Sequence, residues 1–149
     1  MNWLKRMKKI KDYPIFVGVG LLEKINSLVD TTKYSKVVIV TDRNIPLSLV
    51  QNLHSILHIS NSVVIVDSGE QQKDLDNVQK IWKTLKDFGC DRKSLVINLG
   101  GGVIGDVGGF AAATFMRGID FLQIPTTLLA QVDASVGGKV GINFAGMKN

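Results

Sequence analysis

"LVINLGGGVIGDVGGFAAATFMRG", Leu95–Gly118, is the stretch on which the fold turns. Its opening run, "SLVINLG" (94–100), reads as a strand, and the apolar, alanine-rich residues that follow predict a helix to about Met116. Between and within them fall Gly100, Gly101, Gly102, Gly105, Gly108 and Gly109. Glycine is costly inside regular structure, so such a cluster marks backbone that bends sharply or is closely approached. Gly100, Gly102 and Gly105 spell G-x-G-x-x-G between strand and helix. There the first glycines let the chain turn and bring bare amides to a pyrophosphate. The third lets the helix pack tightly, and the helix N-terminus favours the anion. Gly108 and Gly109 read as packing residues one turn further on. The competing reading is a tight turn that serves helix–sheet packing alone.

Outward from this stretch, β-rich runs alternate with amphipathic ones. "PIFVGV" (14–19) predicts a strand and 21–29 a short helix. "KVVIVT" (36–41) is a continuous apolar strand of the kind buried on both faces, and 46–58 is helical by pattern. "SVVIVDSG" (62–69) predicts a strand, and 74–88 a helix with Leu75, Val78, Ile81, Trp82 and Leu85 on one side, stopped by Gly89. "DFLQIP" (120–125) makes a fifth strand, followed by a short helical 127–132. The alternation predicts an α/β, Rossmann-like layered domain with a mainly parallel sheet flanked by helices.

In open α/β sheets ligands bind outside the carboxyl ends of the strands. A dinucleotide fingerprint ordinarily sits in the first β-α turn with an acid some 20 residues later; here other β-α units come first. The candidate for a ribose is therefore upstream: Asp42 at the end of "VVIVTD", with Asn44 beside it. Asp42 could equally cap the helix starting near Pro46. "SGEQQK" brings Glu70 and Lys73 to the same rim, or forms a solvated first helical turn. "SVGGK" is no Walker A loop, because Asp133 stands where G-x-x-x-x-G-K requires glycine.

Composition narrows the classes. The chain has 149 residues, 45% hydrophobic and 21% charged, with a net charge of +5. Lys5, Arg6, Lys8, Lys9 and Lys11 supply that excess, and the remaining 13 basic residues balance the 13 acidic ones. Residues 1–12 thus read as a basic N-terminal arm on a balanced body, which carries no footprint for nucleic acid. Pro14 in the apolar run, Asp12 before it, and Glu23 and Lys24 after it argue against a signal peptide. No uncharged run reaches the length of a membrane span. The single Cys90 cannot form an internal disulfide and suits a reducing, cytoplasmic compartment. His54 and His58, at i and i+4 of the predicted helix, have a spacing that can bind metal. With no third ligand they read as surface or boundary histidines, and Cys90 as structural or inert.

"GGGVIGDVGGFAAATFMRGIDFLQIPTTLLAQVDASVGGKVGIN" closely resembles the 3-dehydroquinate synthase family, and "TDRN" and "SGEQQK" match it in order and spacing. The resemblance covers about residues 13–149. It implies the NAD-binding α/β domain of a two-domain fold, with a metal-binding helical domain beyond residue 149. It further implies a homodimer, catalytic NAD and one divalent metal, zinc or cobalt, whose Glu and two His ligands lie in that second half. The implied reaction converts the sugar phosphate 3-deoxy-D-arabino-heptulosonate 7-phosphate to 3-dehydroquinate and phosphate.

Carried over by position, the NAD contacts fall on Asp42, Asn44, Ser68, Gly69, Glu70, Gln71, Gln72 and Lys73. They continue with Gly101, Gly102, Val103, Ile104, Gly105, Asp106, Thr126 and Thr127, then Lys139 and Lys148. Asp133, Lys139, Arg117, Lys148 and Asn149 would face the reacting carbohydrate and its phosphate. Arg117 could instead serve a helix dipole, and Lys148 could be a loop lysine. "FAGMKN", with Met147 before Lys148, departs from the small-then-glycine approach usual there. Related sugar-phosphate cyclases such as 2-deoxy-scyllo-inosose synthase share much of the pattern. A glycerol-dehydrogenase-type oxidoreductase and a non-catalytic nucleotide-binding module are the alternatives.

Overall fold

The computed structural model describes residues 13–148, so the basic arm and Asn149 lie outside the described residues. Four parallel strands form one sheet: β1 (Val37–Asp42), β2 (Asn61–Val66), β3 (Leu95–Gly100) and β4 (Asp120–Pro125), in the order β2-β1-β3-β4. The helices are α1 (Ile25–Leu28), α2 (Leu47–Ile56), α3 (Leu75–Asp87) and α4 (Gly102–Thr114).

Strand β3 is buried along its whole length, as a central strand with helices on both sides must be. One face carries Val37, Ile39, Leu95, Ile97 and Leu99 against Ile25 of α1 and Val50 and Leu53 of α2. The other carries Val38, Val40, Val64, Val66 and Val96 against Val78, Ile81 and Leu85 of α3 and Ile104, Val107 and Ala111 of α4. The alternation of side chains along each strand assigns the two sets. Asp74 caps α3 by accepting from the Asn77 N–H at 2.9 Å, and Gly89, at φ +70°, ends it.

Several expected boundaries move. Residues 14–19 form no strand: Gly18 and Gly20 flank Val19, which is 94% exposed, and among the described residues no strand pairs with them. Strand propensity without a partner does not make a strand. The sheet therefore has four strands, and the glycine loop follows β3. Helix α2 ends at Ile56 with Leu57 extended, so His58 lies beyond it and the histidine pair does not share a helix. Helix α4 ends at Thr114, and Met116 and Arg117 turn left-handed at φ 50° and 74°. The expected 127–132 segment includes the start of a π-helical turn, Ala130–Ala134.

Candidate functional site

The strand order reverses at β1: β2 lies on one side of it, β3 and β4 on the other. Such a switch point leaves a crevice between the carboxyl ends of the two central strands. A cleft of about 490 Å³ opens there, within the range of small-molecule sites. Asp42 and Asn44 line it from the end of β1, Ser68 and Gly69 from the end of β2. Gly101, Gly102 and Val103 line it from the start of α4, and Thr126 and Thr127 from the end of β4. Parallel pairing in register delivers these four loops to one rim.

Asp42 does not cap α2, whose N-cap is Pro46. One carboxylate oxygen accepts from the Asn44 backbone N–H at 2.8 Å and the Ser68 hydroxyl at 3.1 Å, tying the first two rims together. Gly101, the N-cap of α4, offers no side-chain cap to the first turn. The wall behind it is close: a Cβ on Gly101 would stand 3.3 Å from the Thr127 methyl, and one on Gly102 3.4 Å from Ala134. Bare backbone at a helix start, beside an acid and two hydroxyls, fits the diphosphate and ribose of a dinucleotide.

Behind the cleft stands an ion pair. The Lys73 ammonium lies 2.7 Å from Asp106 and 3.3 Å from Glu70, with the Lys73 and Asp106 side chains only 13% and 11% exposed. Burial alone would lower the Lys73 pKa, but the hydrogen bond and charge of Asp106, helped by Glu70, outweigh it and raise it. The tail at 139–143 crosses to the same place: the Asn143 N–H donates to the Lys73 carbonyl at 2.6 Å. Val140 of that tail packs over Gly109, where a Cβ would stand 2.3 Å from it. Lys139 pairs with Asp133 at the exposed edge.

Some expected contacts are corrected. Ile104 is fully buried in the core against β1 and β3, so its side chain cannot meet a cofactor. Gly105 faces the sheet, where its missing Cβ makes room for the Gln123 amide. Gln72 spends its side-chain oxygen on the Asn77 amide at 2.8 Å, bracing α3 instead of the cleft. The Gln71 side chain folds over Gly69. Arg117 sits between the end of α4 and the start of β4, at the opposite end of the sheet from the cleft. Exposed Lys148 is not among the residues lining the cleft.

Asn98, Gln123 and Asn143 escaped the sequence reading. The signal available for Asn98 and Gln123 was a polar residue interrupting an apolar buried strand. Burial pushes the Cys90 thiol up, which suits an inert position. Among the described residues no group of three His, Cys, Asp or Glu side chains could hold a metal ion, and no helix is long and apolar enough to cross a membrane.

The model of the family described as 3-dehydroquinate synthase N-terminal matches residues 63–149. The 3-dehydroquinate synthase of Thermoanaerobacter pseudethanolicus is 44% identical over 153 aligned positions, covering all of this chain and 43% of that protein. The chain thus spans well under half the length of this relative. Among solved structures, 2-deoxy-scyllo-inosose synthase complexed with carbaglucose-6-phosphate, NAD+ and Co2+ superposes with a TM-score of 0.85 at 26% identity. That match covers 93% of this chain and 39% of the other. The 2-epi-5-epi-valiolone synthase of Streptomyces hygroscopicus, with NAD+ and Zn2+ bound, superposes at 0.77 and 29% identity over 93% of this chain and 40% of that one.

Proposed function

Because the chain belongs to the 3-dehydroquinate synthase family, we propose that it is the cofactor-binding domain of an enzyme releasing phosphate from 3-deoxy-D-arabino-heptulosonate 7-phosphate to form 3-dehydroquinate. The net reaction is a phosphate lyase step on the shikimate route to aromatic compounds. The observation that carries the reading is the cleft at the switch point, where Asp42, the α4 start and Thr126 and Thr127 converge.

In it the Asp42 carboxylate takes the ribose hydroxyls with Asn44 alongside. The first-turn N–H groups at Gly102 and Val103 take the diphosphate, and Thr126 and Thr127 orient the remainder by their hydroxyls. When bound, NAD supplies reversible hydride acceptance, so none is consumed over a turnover. Glu70 and Lys73 hold the third rim, and Asp106 keeps the Lys73 ammonium turned toward α4. Asp133 and Lys139, a carboxylate and an ammonium on the exposed edge, meet the substrate hydroxyls and the charge that develops on them.

A divalent metal, zinc or cobalt, would take its ligands from the remaining domain of the whole protein. Leu128, Leu129 and Val132 are exposed apolar side chains beside the Asp133 turn. They form the surface against which the remaining domain of the whole protein packs, in a cytoplasmic homodimer.

The test is an assay of the full-length protein with heptulosonate phosphate and catalytic NAD. Phosphate release without net NADH is expected. Net NADH from a polyol would replace the reading with an oxidoreductase, and turnover of a hexose phosphate alone would replace it with another cyclase.

A further inference from the structure

The cofactor reading leaves the start of α4 with a physical problem. Its first turn runs Gly102, Val103, Ile104, Gly105, and glycine is among the poorest helix formers. Its N-cap, Gly101, contributes no side-chain hydrogen bond. Yet a diphosphate site needs those N–H groups held at a fixed height and direction. Something outside the helix must hold them.

That hold comes from the neighbouring strand. The Gln123 side-chain amide, projecting from β4, donates to the Gly105 carbonyl at 3.0 Å. Gly105 permits the approach, since a Cβ there would stand 3.1 Å from the Gln123 oxygen and 3.3 Å from its nitrogen. Gln123 stands opposite Asn98 in the β3–β4 register, so both side chains project to the α4 face of the sheet. Asn98 lies beneath Gly108, one turn further along the helix. Two amides on adjacent strands therefore occupy the trough that Gly105, Gly108 and Gly109 leave along α4. Ile104, Val107 and Ala111 pack the helix onto the sheet, and the hydrogen bond adds a directional constraint at its first turn.

We propose that Gln123 is a positioning residue for the cofactor: through the Gly105 carbonyl it fixes the α4 start so that the N–H groups of Gly102 and Val103 converge on the diphosphate. The proposal rests on the reading of the cleft as a dinucleotide site. It adds a residue that lines no part of the cleft and acts from beneath it.

The test titrates NAD into the full-length protein by calorimetry, comparing the parent with Gln123→Met, which keeps the side-chain length and removes the donor. The dissociation constant is expected to rise about tenfold, the scale of one lost hydrogen bond. Turnover at saturating NAD should stay near the parent value, because the clamp acts on binding. A lowered Tm with an unchanged dissociation constant would assign Gln123 to stability alone and overturn the proposal.

Gly105→Ala is the second variant and carries the test if Gln123→Met folds poorly. Alanine favours the helix, but its Cβ crowds the Gln123 amide, so NAD should bind more weakly while Tm holds or rises. In the Gln123→Met background the same change should weaken NAD no further; an additive loss counts against the clamp. A parent protein that takes up no NAD removes the cofactor reading and this proposal together. A parent that binds, with Gln123→Met and Gly105→Ala binding equally well, removes this proposal alone.

Discussion

Toward α2 the sheet presents Val37, Ile39, Leu95, Ile97 and Leu99, all aliphatic and all buried. Toward α4 the sheet presents Val38 and Val96 but also two amides, Asn98 of β3 and Gln123 of β4. The first face holds its helix by area removed from water, which is strong but carries no direction of its own. The second gives up part of that area to the hydrogen bond from Gln123 to the Gly105 carbonyl and to a trough of glycines filled by both amides. The helix on the apolar face supports the molecule; the helix on the polar face has to be in one place. Among the described residues, only α4 begins at the cleft with bare glycine backbone.

This contrast can be broken most forcefully from the apolar side. Ile97→Ala removes a fully buried side chain and should cost about 3 kcal/mol in urea unfolding. NAD affinity of the folded full-length protein should be unaltered. A matching loss of affinity would erase the distinction between the faces.

Lys73→Met takes the ammonium away from a nearly buried carboxylate beside α4 and should cost about 2 kcal/mol. The Lys73 pKa is raised by folding, so the cation's contribution is complete below its ordinary value of 10.5 and fades as the pH climbs above it. The stability gap between parent and variant should therefore narrow only in strongly alkaline solution. A gap that closes near neutrality would mean that the pair is not what holds this corner.

The smallest effect sharpens the role of the trough. Gly108→Ala places a methyl 1.9 Å from the Asn98 side-chain oxygen, and part of that loss is offset by the better helix propensity of alanine. A net cost of about 1 kcal/mol is expected, relieved by Asn98→Ser, which shortens the opposing side chain. Equal destabilisation in both backgrounds would show that the amide does not fill the trough.

Much of this architecture was readable in advance. The runs at 36–41, 62–69, 94–100 and 120–125 became the four strands within a few residues, because buried parallel strands are written as unbroken aliphatic stretches. Asp42, Ser68, Gly101 and Thr126 fall at or just beyond the strand ends, and the structure brings them to one cleft. Residues 14–19 misled because strand propensity counts only where a neighbouring strand is available. Ile104 misled because a motif counts positions along the chain, while a helix turns each side chain about 100° from the one before. Arg117 was grouped with the site by its place in a continuous motif, although thirteen residues of α4 carry the chain to the far end of the sheet.

By itself the amino-acid order decided the alternation of strands and helices, the bend after β3 and the need for backbone to come close there, since each follows from local propensity and periodicity. The strand order β2-β1-β3-β4, which opens a crevice between β1 and β3, was decided only by the tertiary structure. So was the direction each glycine faces, Gly101 and Gly102 toward the cleft, Gly105 and Gly108 toward Gln123 and Asn98. A glycine carries no side chain to announce its neighbour, and what fills the space it leaves is settled by residues distant in the chain.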